Sequence, residues 1–257
     1  MRYEILGSLR IIDGARHFTL SAPKIEMVLA ALLIESGRFV NKDQLIGELW
    51  LSNPPRRASA TVHVYISQLR KFLVSAGDIE GRAIVTKPAG YLLKTDDAGF
   101  DVQDFQDAVG QGHAHHQAAE FEAALAEFER ALSLVRGQVL DGVAEGPILN
   151  SFAAWVEEER LQSLEMSVEA RIALGRHRQV IGLLYGLTSE YPLRESFYRQ
   201  LMLVLYRSER QVEALEVYRT AQRVLRAELG LEPCRSLRRL HHAILTSDHD
   251  LDLLAAS

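Results

Sequence analysis

Thr61, His63, Val64, Tyr65, Ser67, Gln68, Arg70 and Lys71 crowd into the segment TVHVYISQLRKFL. These residue types suit contact with a nucleic-acid duplex. Gln and Arg can hydrogen-bond base edges, Thr and Val can touch thymine methyl groups, and Ser, Tyr and Lys can bind phosphate oxygens. The same set also describes an ordinary solvated helix face, so the elements that present these residues must decide between the two.

Other clusters point away from catalysis. His113, His115 and His116 have H-x-H-H spacing, but no carboxylate or thiol lies nearby at ligand spacing, and they read as a solvated group at the start of a helical region. His241-His242 reads the same way. Glu157-Glu158-Glu159 reads as a solvated helix face, because no partner nucleophile accompanies it. Cys234 is the only cysteine, which excludes an internal disulfide and a thiolate zinc site and leaves a buried or idle thiol. No G-x-x-x-x-G-K-[ST] nucleotide loop occurs. No catalytic residue, metal site or cofactor is expected, and the protein is not read as an enzyme.

The segment itself is ambiguous at first. T-V-H-V-Y-I-S alternates as a strand would, but the alternation fails at Gln68-Leu69-Arg70-Lys71. Val62, Ile66, Leu69 and Leu73 instead repeat as the buried stripe of a helix over 59–75, with Ser59 as its cap. Upstream, YEILGSLRII and HFTL flank the turn residues Asp13-Gly14 and predict antiparallel strands. A helix capped by Ser21, with Pro23 in its first turn, carries Met27, Ala30, Ala31 and Ile34 on one face and ends near Gly37. Asn41, followed three residues later by Gln44, caps a second helix bearing Leu45, Ile46, Leu49 and Trp50 on one side, which stops at Asn53-Pro54-Pro55. AIVTKPAGYLL predicts a hairpin whose tip offers Lys87. Sheet, three helices and hairpin in that order describe a winged helix.

Charge supports this placement. The chain of 257 residues carries a net charge of −5, yet residues 54–94 hold seven basic and two acidic side chains. Beyond residue 97 the balance is acidic and the texture helical. Ala124, Phe128 and Ala131, then Val180, Leu184 and Leu187, then Ala214, Tyr218 and Ala221 form a weak repeat. The last two are offset by 34 residues, the period of tetratricopeptide helical hairpins, with Pro192 and Pro233 following. A longer helix and an irregular connection near Gly137 to Pro147 separate the first from the second. The expected fold is mainly α with a small β part. The expected domains are a DNA-binding module over 1–95, a linker over 96–104 and a helical-repeat domain over 105–257. No uncharged apolar run is long enough for a membrane helix and no leader is evident, so a cytoplasmic, nucleoid-associated protein without membrane contact is expected.

The order MRYEILGSLRIIDG, SAPKIEMVLAALLIESGRFVNKDQLIGELW, TVHVYISQLRKFL and VTKPAGYLL resembles the OmpR/PhoB-type winged helix. Y-I-S-Q-L-R-K with TKPAGYLL is similar to the branch found in Streptomyces antibiotic regulatory proteins. LRESFYRQLMLVLYRSERQVEALEVYRTAQRVLRAELGLEP is similar to the bacterial transcriptional activation domain that accompanies that branch. The resemblance implies an activator that binds direct repeats in double-stranded promoter DNA of biosynthetic pathways, as a homodimer or in tandem, and recruits RNA polymerase holoenzyme with its sigma factor. It implies that Thr61, His63, Val64, Tyr65, Gln68 and Arg70 face the groove, joined by Ser59, Ser67 and Lys71, with Lys87 and Tyr91 in the wing. Gln68 stands where many relatives have arginine, so their base preference does not transfer. Arg56 and Arg57 precede the recognition helix, where phosphate, polymerase or solubility are all open roles. With the winged helix starting at residue 1, no receiver domain and no aspartyl phosphorylation control are expected. The alternative is a helical-repeat adaptor with little specific DNA binding.

Overall fold

The computed structural model describes residues 1–78, 81–95, 98–141, 143 and 146–246. Two compact units form, Met1–Gly110 with Arg130–Leu161, and Gln111–Glu129 with Gln162–Ser257. The cut falls inside helical segments, and Gly99–Phe100, in the stretch read as a linker, forms a strand.

The first unit begins with strands β1 (Arg2–Glu4), β2 (Arg10–Asp13) and β3 (Arg16–Phe18). They form one sheet in the order β3-β2-β1-β7, where β7 (Gly99–Phe100) runs parallel to β1 with Tyr3 opposite Phe100. Helix α1 (Pro23–Ile34) follows, with Pro23 at its first position and Ala22 as N-cap, so Ser21 does not cap it. It ends before Gly37, at Ile34. Its expected one-sided stripe is also too narrow, since Met27 through Leu33 are all buried. The run LAALL has no polar side to show, and neighbouring elements cover the helix on every face.

Strand β4 (Phe39–Asn41) leads into α2 (Lys42–Trp50). Asn41 and Gln44 form the expected capping box, at 2.7 and 2.9 Å. Helix α3 spans Ala58–Ser75, and Arg57, not Ser59, is its N-cap. Val62, Ile66, Leu69 and Leu73 are at most 1% exposed. Burying each such side chain stabilises by roughly 1.5–3 kcal/mol, against a few tenths for a β-branched residue in a helix, so the stripe fixes the conformation.

The hairpin is β5 (Ile84–Lys87) and β6 (Gly90–Leu93), and β4 pairs with β6 to give a second sheet in the order β4-β6-β5. Gly90 lies against β4 so closely that a Cβ would sit 2.1 Å from the Val40 carbonyl oxygen and 2.7 Å from Asn41 Cα. Only glycine fits there. Gly90→Ala is expected to cost at least about 1–3 kcal/mol by overpacking against backbone, seen as a lowered midpoint in denaturant unfolding.

The helices after β7 are α4 (Asp101–Gln117), α5 (Phe121–Leu134) and α6 (Pro147–Ala173). Two buried carboxylates tie parts of them into the first unit. Asp101 accepts hydrogen bonds from the Ile5 and Leu6 amides at 3.0 Å. Glu48 of α2 accepts from the Ile148 amide at 2.5 Å, at the start of α6 where helical amides lack partners. Burial raises both pKa values, and the amide bonds only partly oppose it. A carboxyl group with a raised folded pKa favours folding most when protonated. Its contribution is therefore full below the ordinary carboxylate range and is lost as pH rises through the raised value. Glu48→Gln is expected to flatten that falling limb in thermal melts run as a pH series, and an unchanged limb would remove Glu48 from the account.

In the second unit a 3-10 turn (His177–Val180) precedes α7 (Ile181–Glu190), α8 (Glu195–Arg207), α9 (Gln211–Leu229) and α10 (Arg235–Thr246). The repeat positions are core positions, with Ala124, Phe128, Leu184, Ala214 and Ala221 fully buried here and Ala131 fully buried in the first unit. Gly230, at φ 68°, closes α9 in the left-handed conformation that favours glycine. Cys234 is exposed, not buried, and its Sγ lies 3.1 Å from Ser236 Oγ.

Candidate nucleic-acid interface

With the aliphatic stripe turned inward, α3 presents Ser59, His63, Val64, Ser67, Gln68 and Lys71 as exposed residues. Arg57 is exposed at its N-terminus, where no side chain caps the helix and no acidic residue occupies the first turn. Thr61 is half-buried and turns its hydroxyl back to the Arg57 carbonyl at 3.1 Å. Lys87 is exposed at the end of β5, beside the turn residues Pro88 and Ala89.

Tyr65, Arg70 and Tyr91 are also engaged within the protein, as is His63 through Tyr91. Tyr65 is half-buried and stacks on Trp50, with ring centres 6.4 Å apart, while Lys24 sits 5.3 Å from the Trp50 ring centre. Arg70 donates from Nη2 to the Ile84 carbonyl at 2.9 Å and to Thr86 Oγ1 at 2.7 Å. Tyr91 is only 1% exposed, so its ring belongs to the core although it lies in the wing. Its hydroxyl meets His63 Nδ1 at 2.6 Å.

That last bond has a direction. Burial raises the Tyr91 pKa, with Arg70 opposing, so the phenol stays protonated and its hydrogen needs an acceptor. His63 Nδ1 is the acceptor within reach at 2.6 Å, and the tautomer that accepts there carries its proton on Nε2. Arg70 and the His63–Tyr91 pair thus fasten the hairpin to α3 at two points.

Sequence reasoning missed Thr86, Trp50 and Lys24 as supports of this face. Thr86 is adjacent to Lys87, and its place on the same strand was the available signal. Trp50 showed only as a core position of α2. The histidines treated as a group diverge at the C-terminal end of α4, not at a helix start. His113 packs on Phe128, His116 on Phe121, and His115 bonds Glu120. Among the described residues no group of three or more His, Cys, Asp or Glu could hold a metal, and no helix is long and apolar enough to cross a membrane.

Known proteins share this architecture. Residues 19–93 match the family described as transcriptional regulatory protein, C terminal, and residues 100–245 match the bacterial transcriptional activator domain. The regulatory protein DnrI of Streptomyces peucetius is 34% identical over 257 residues, covering 98% of this chain and 94% of DnrI. The regulatory protein AfsR of Streptomyces griseus is 33% identical over 251 residues, 98% of this chain but 25% of AfsR. The transcriptional regulatory protein EmbR of Mycobacterium tuberculosis is 35% identical over 243 residues, 95% of this chain and 63% of EmbR. A solved structure of Mycobacterium tuberculosis EmbR in complex with a low affinity phosphopeptide superposes with a TM-score of 0.91 at 34% identity, covering 99% of this chain and 67% of that one. The chain thus spans nearly all of DnrI but only a quarter of AfsR and under two thirds of EmbR.

The two matched domains place the chain among winged-helix transcription regulators. The chain belongs to the Streptomyces antibiotic regulatory protein family, which joins the OmpR-type winged helix to the bacterial transcriptional activator domain.

Tyr91→Phe combined with Arg70→Ala is expected to leave the core of the first unit folded while freeing the hairpin. Hydrogen exchange should quicken over Ile84–Leu93 and remain slow in α1. Equal exchange in variant and parent would show that these contacts do not hold the wing.

Proposed function

We propose that this protein is a transcriptional activator that reads direct repeats upstream of biosynthetic promoters, as a homodimer or as tandem copies, and recruits RNA polymerase holoenzyme with its sigma factor. One observation carries the reading: α3 turns Val62, Ile66, Leu69 and Leu73 inward and leaves His63, Val64, Ser67, Gln68 and Lys71 outside, with Lys87 exposed on the hairpin. A helix of this kind fits the major groove, and a hairpin tip reaches a neighbouring phosphate or minor groove.

Within that reading the roles divide by chemistry. Gln68, with an amide that can both donate and accept, and His63, with the Nε2–H of the tautomer that accepts from Tyr91, read base edges. Val64 and Thr61 meet thymine methyls. Ser59, Ser67, Lys71, Lys87 and Arg57 position the phosphate backbone, and the uncapped start of α3 offers amides to the same oxygens. Tyr65, Arg70 and Tyr91 act mainly by holding the reading surface in shape, and the other guanidinium N–H groups of Arg70 remain for DNA. Residues 1–95 are the DNA-binding domain, 96–104 the connection, and 105–257 the domain that meets polymerase in the cytoplasm. The mechanism is recruitment, without covalent chemistry.

Binding of the full chain to promoter fragments and to random duplex tests the reading. Lys71→Ala or Lys87→Ala is expected to weaken both and to flatten the dependence of log K on log salt by about one unit. Gln68→Ala is expected to leave the slope alone and relax preference at one base pair by about 1–3 kcal/mol in a selection from randomised duplexes. A promoter fragment bound no more tightly than random duplex at physiological salt, with binding surviving Arg70→Ala and Lys71→Ala together, would leave the adaptor role instead.

A further inference from the structure

Arginine–glutamate pairs join successive elements of the second unit. Arg171 of α6 reaches Glu129 of α5 at 2.6 Å, and Arg176, just beyond α6, reaches Glu122 of α5 at 2.5 Å. Arg194, the N-cap of α8, pairs with Glu165 of α6, and Arg199 of α8 reaches Glu169 of α6 at 2.8 Å. Arg210 and Arg226 are matched locally by Glu213 and Glu232. A planar guanidinium facing a carboxylate is the recurring side-chain link of this unit.

Five arginines of α9 and α10 stand outside this pattern. Arg219 and Arg223 on α9, and Arg235, Arg238 and Arg239 on α10, are exposed, and their guanidinium groups have no ion-pair or hydrogen-bond partner among the described residues. They fall in rows spaced by four, 219 with 223 and 235 with 239, and Arg238 is in row with His242. Arg219 acts on the His241 ring and Arg238 on the Tyr218 hydroxyl, so both lie near the seam of α9 and α10. Tyr218 of α9 stacks on His241 of α10 with ring centres 3.8 Å apart. Burial lowers the His241 pKa, and the positive fields of Arg219 and His242 add to the effect. Leu237, Leu240, Ala243 and Ile244 face inward on α10, so its packing does not use the arginines.

We propose that the exposed arginines of α9 and α10 dock an acidic helix of a partner protein, extending the Arg–Glu linkage that joins the helices within the unit. Glutamates spaced by four on such a helix match the row spacing, and each guanidinium fork fits a carboxylate with two parallel hydrogen bonds. A short acidic helix fits better than nucleic acid. Glu195 and Glu232 act on Tyr218 beside the stack, and they would repel a duplex whose charge recurs about every 1.7 Å beyond it. The proposal does not depend on what α3 reads.

Fluorescence anisotropy with the full chain tests it, using a labelled Ala/Glu peptide of about 16 residues with glutamates spaced by four, long enough to take up helix in water. The Glu peptide is expected to bind, and its Gln counterpart to bind about tenfold more weakly or worse. Arg235→Ala, Arg238→Ala and Arg239→Ala together should weaken the Glu peptide about tenfold while the far-UV spectrum and melting stay as in the parent. Lysine at the same three positions, keeping charge without the fork, should restore only part of the binding. Equal binding of the Gln peptide, indifference to the triple alanine variant, or full restoration by lysine would each overturn the proposal. So would a random duplex whose affinity falls as much as the peptide's in the triple variant, since the arginines would then serve phosphates.

Discussion

Everything at the candidate interface depends on how α3 is held about its own axis. Four aliphatic side chains, each at most 1% exposed, turn one side of the helix into the core and thereby fix which residues meet solvent. A rotation by one residue would bury His63 or Gln68 and expose a leucine, at a cost of several kcal/mol. The exposed face of α3 is therefore a by-product of hydrophobic burial, and its composition is free to vary without disturbing the fold.

The hairpin shares that orientation because it is fastened to the same helix. Arg70 reaches β5 through a carbonyl and a hydroxyl, and the Tyr91 hydroxyl reaches His63. Gly90 then lets β6 lie directly against β4, which continues into α2 at the capping box of Asn41. The result is one connected scaffold in which the residues that support the face outnumber those with exposed functional groups. Polar side chains that sequence alone assigns to DNA thus divide into two kinds, those presented to solvent and those that hold the presentation steady.

The same arginine chemistry serves different ends elsewhere. In the first unit Arg136 lies 3.4 Å from both Glu4 and Asp101. In the second unit inter-helix pairs do the joining, while five arginines of α9 and α10 have no such carboxylate among the described residues. Charge averaged along the chain hides this, because the acidic surplus after residue 97 includes many carboxylates already matched by arginine.

Much of this protein was legible in sequence because its signals are local. The stripe in TVHVYISQLRKFL, the Asn41 capping box, the turn at Asp13-Gly14 and the hairpin around Lys87 each follow from residues within about a dozen positions of one another, where sterics and hydrogen bonding act without distant help. What sequence could not settle was long-range. That α1 is covered on all sides, that Gly99–Phe100 completes a sheet with β1, that Glu48 and Asp101 hold backbone amides about a hundred positions away, and that Arg70 and Tyr91 spend their polar groups on the wing all depend on which surfaces meet. Sequence by itself determined the α3 helix and which of its sides faces away from the core. Only tertiary packing decided which of the residues on that side remain free, because a hydrogen-bonding group used inside the fold has fewer bonds left to offer DNA.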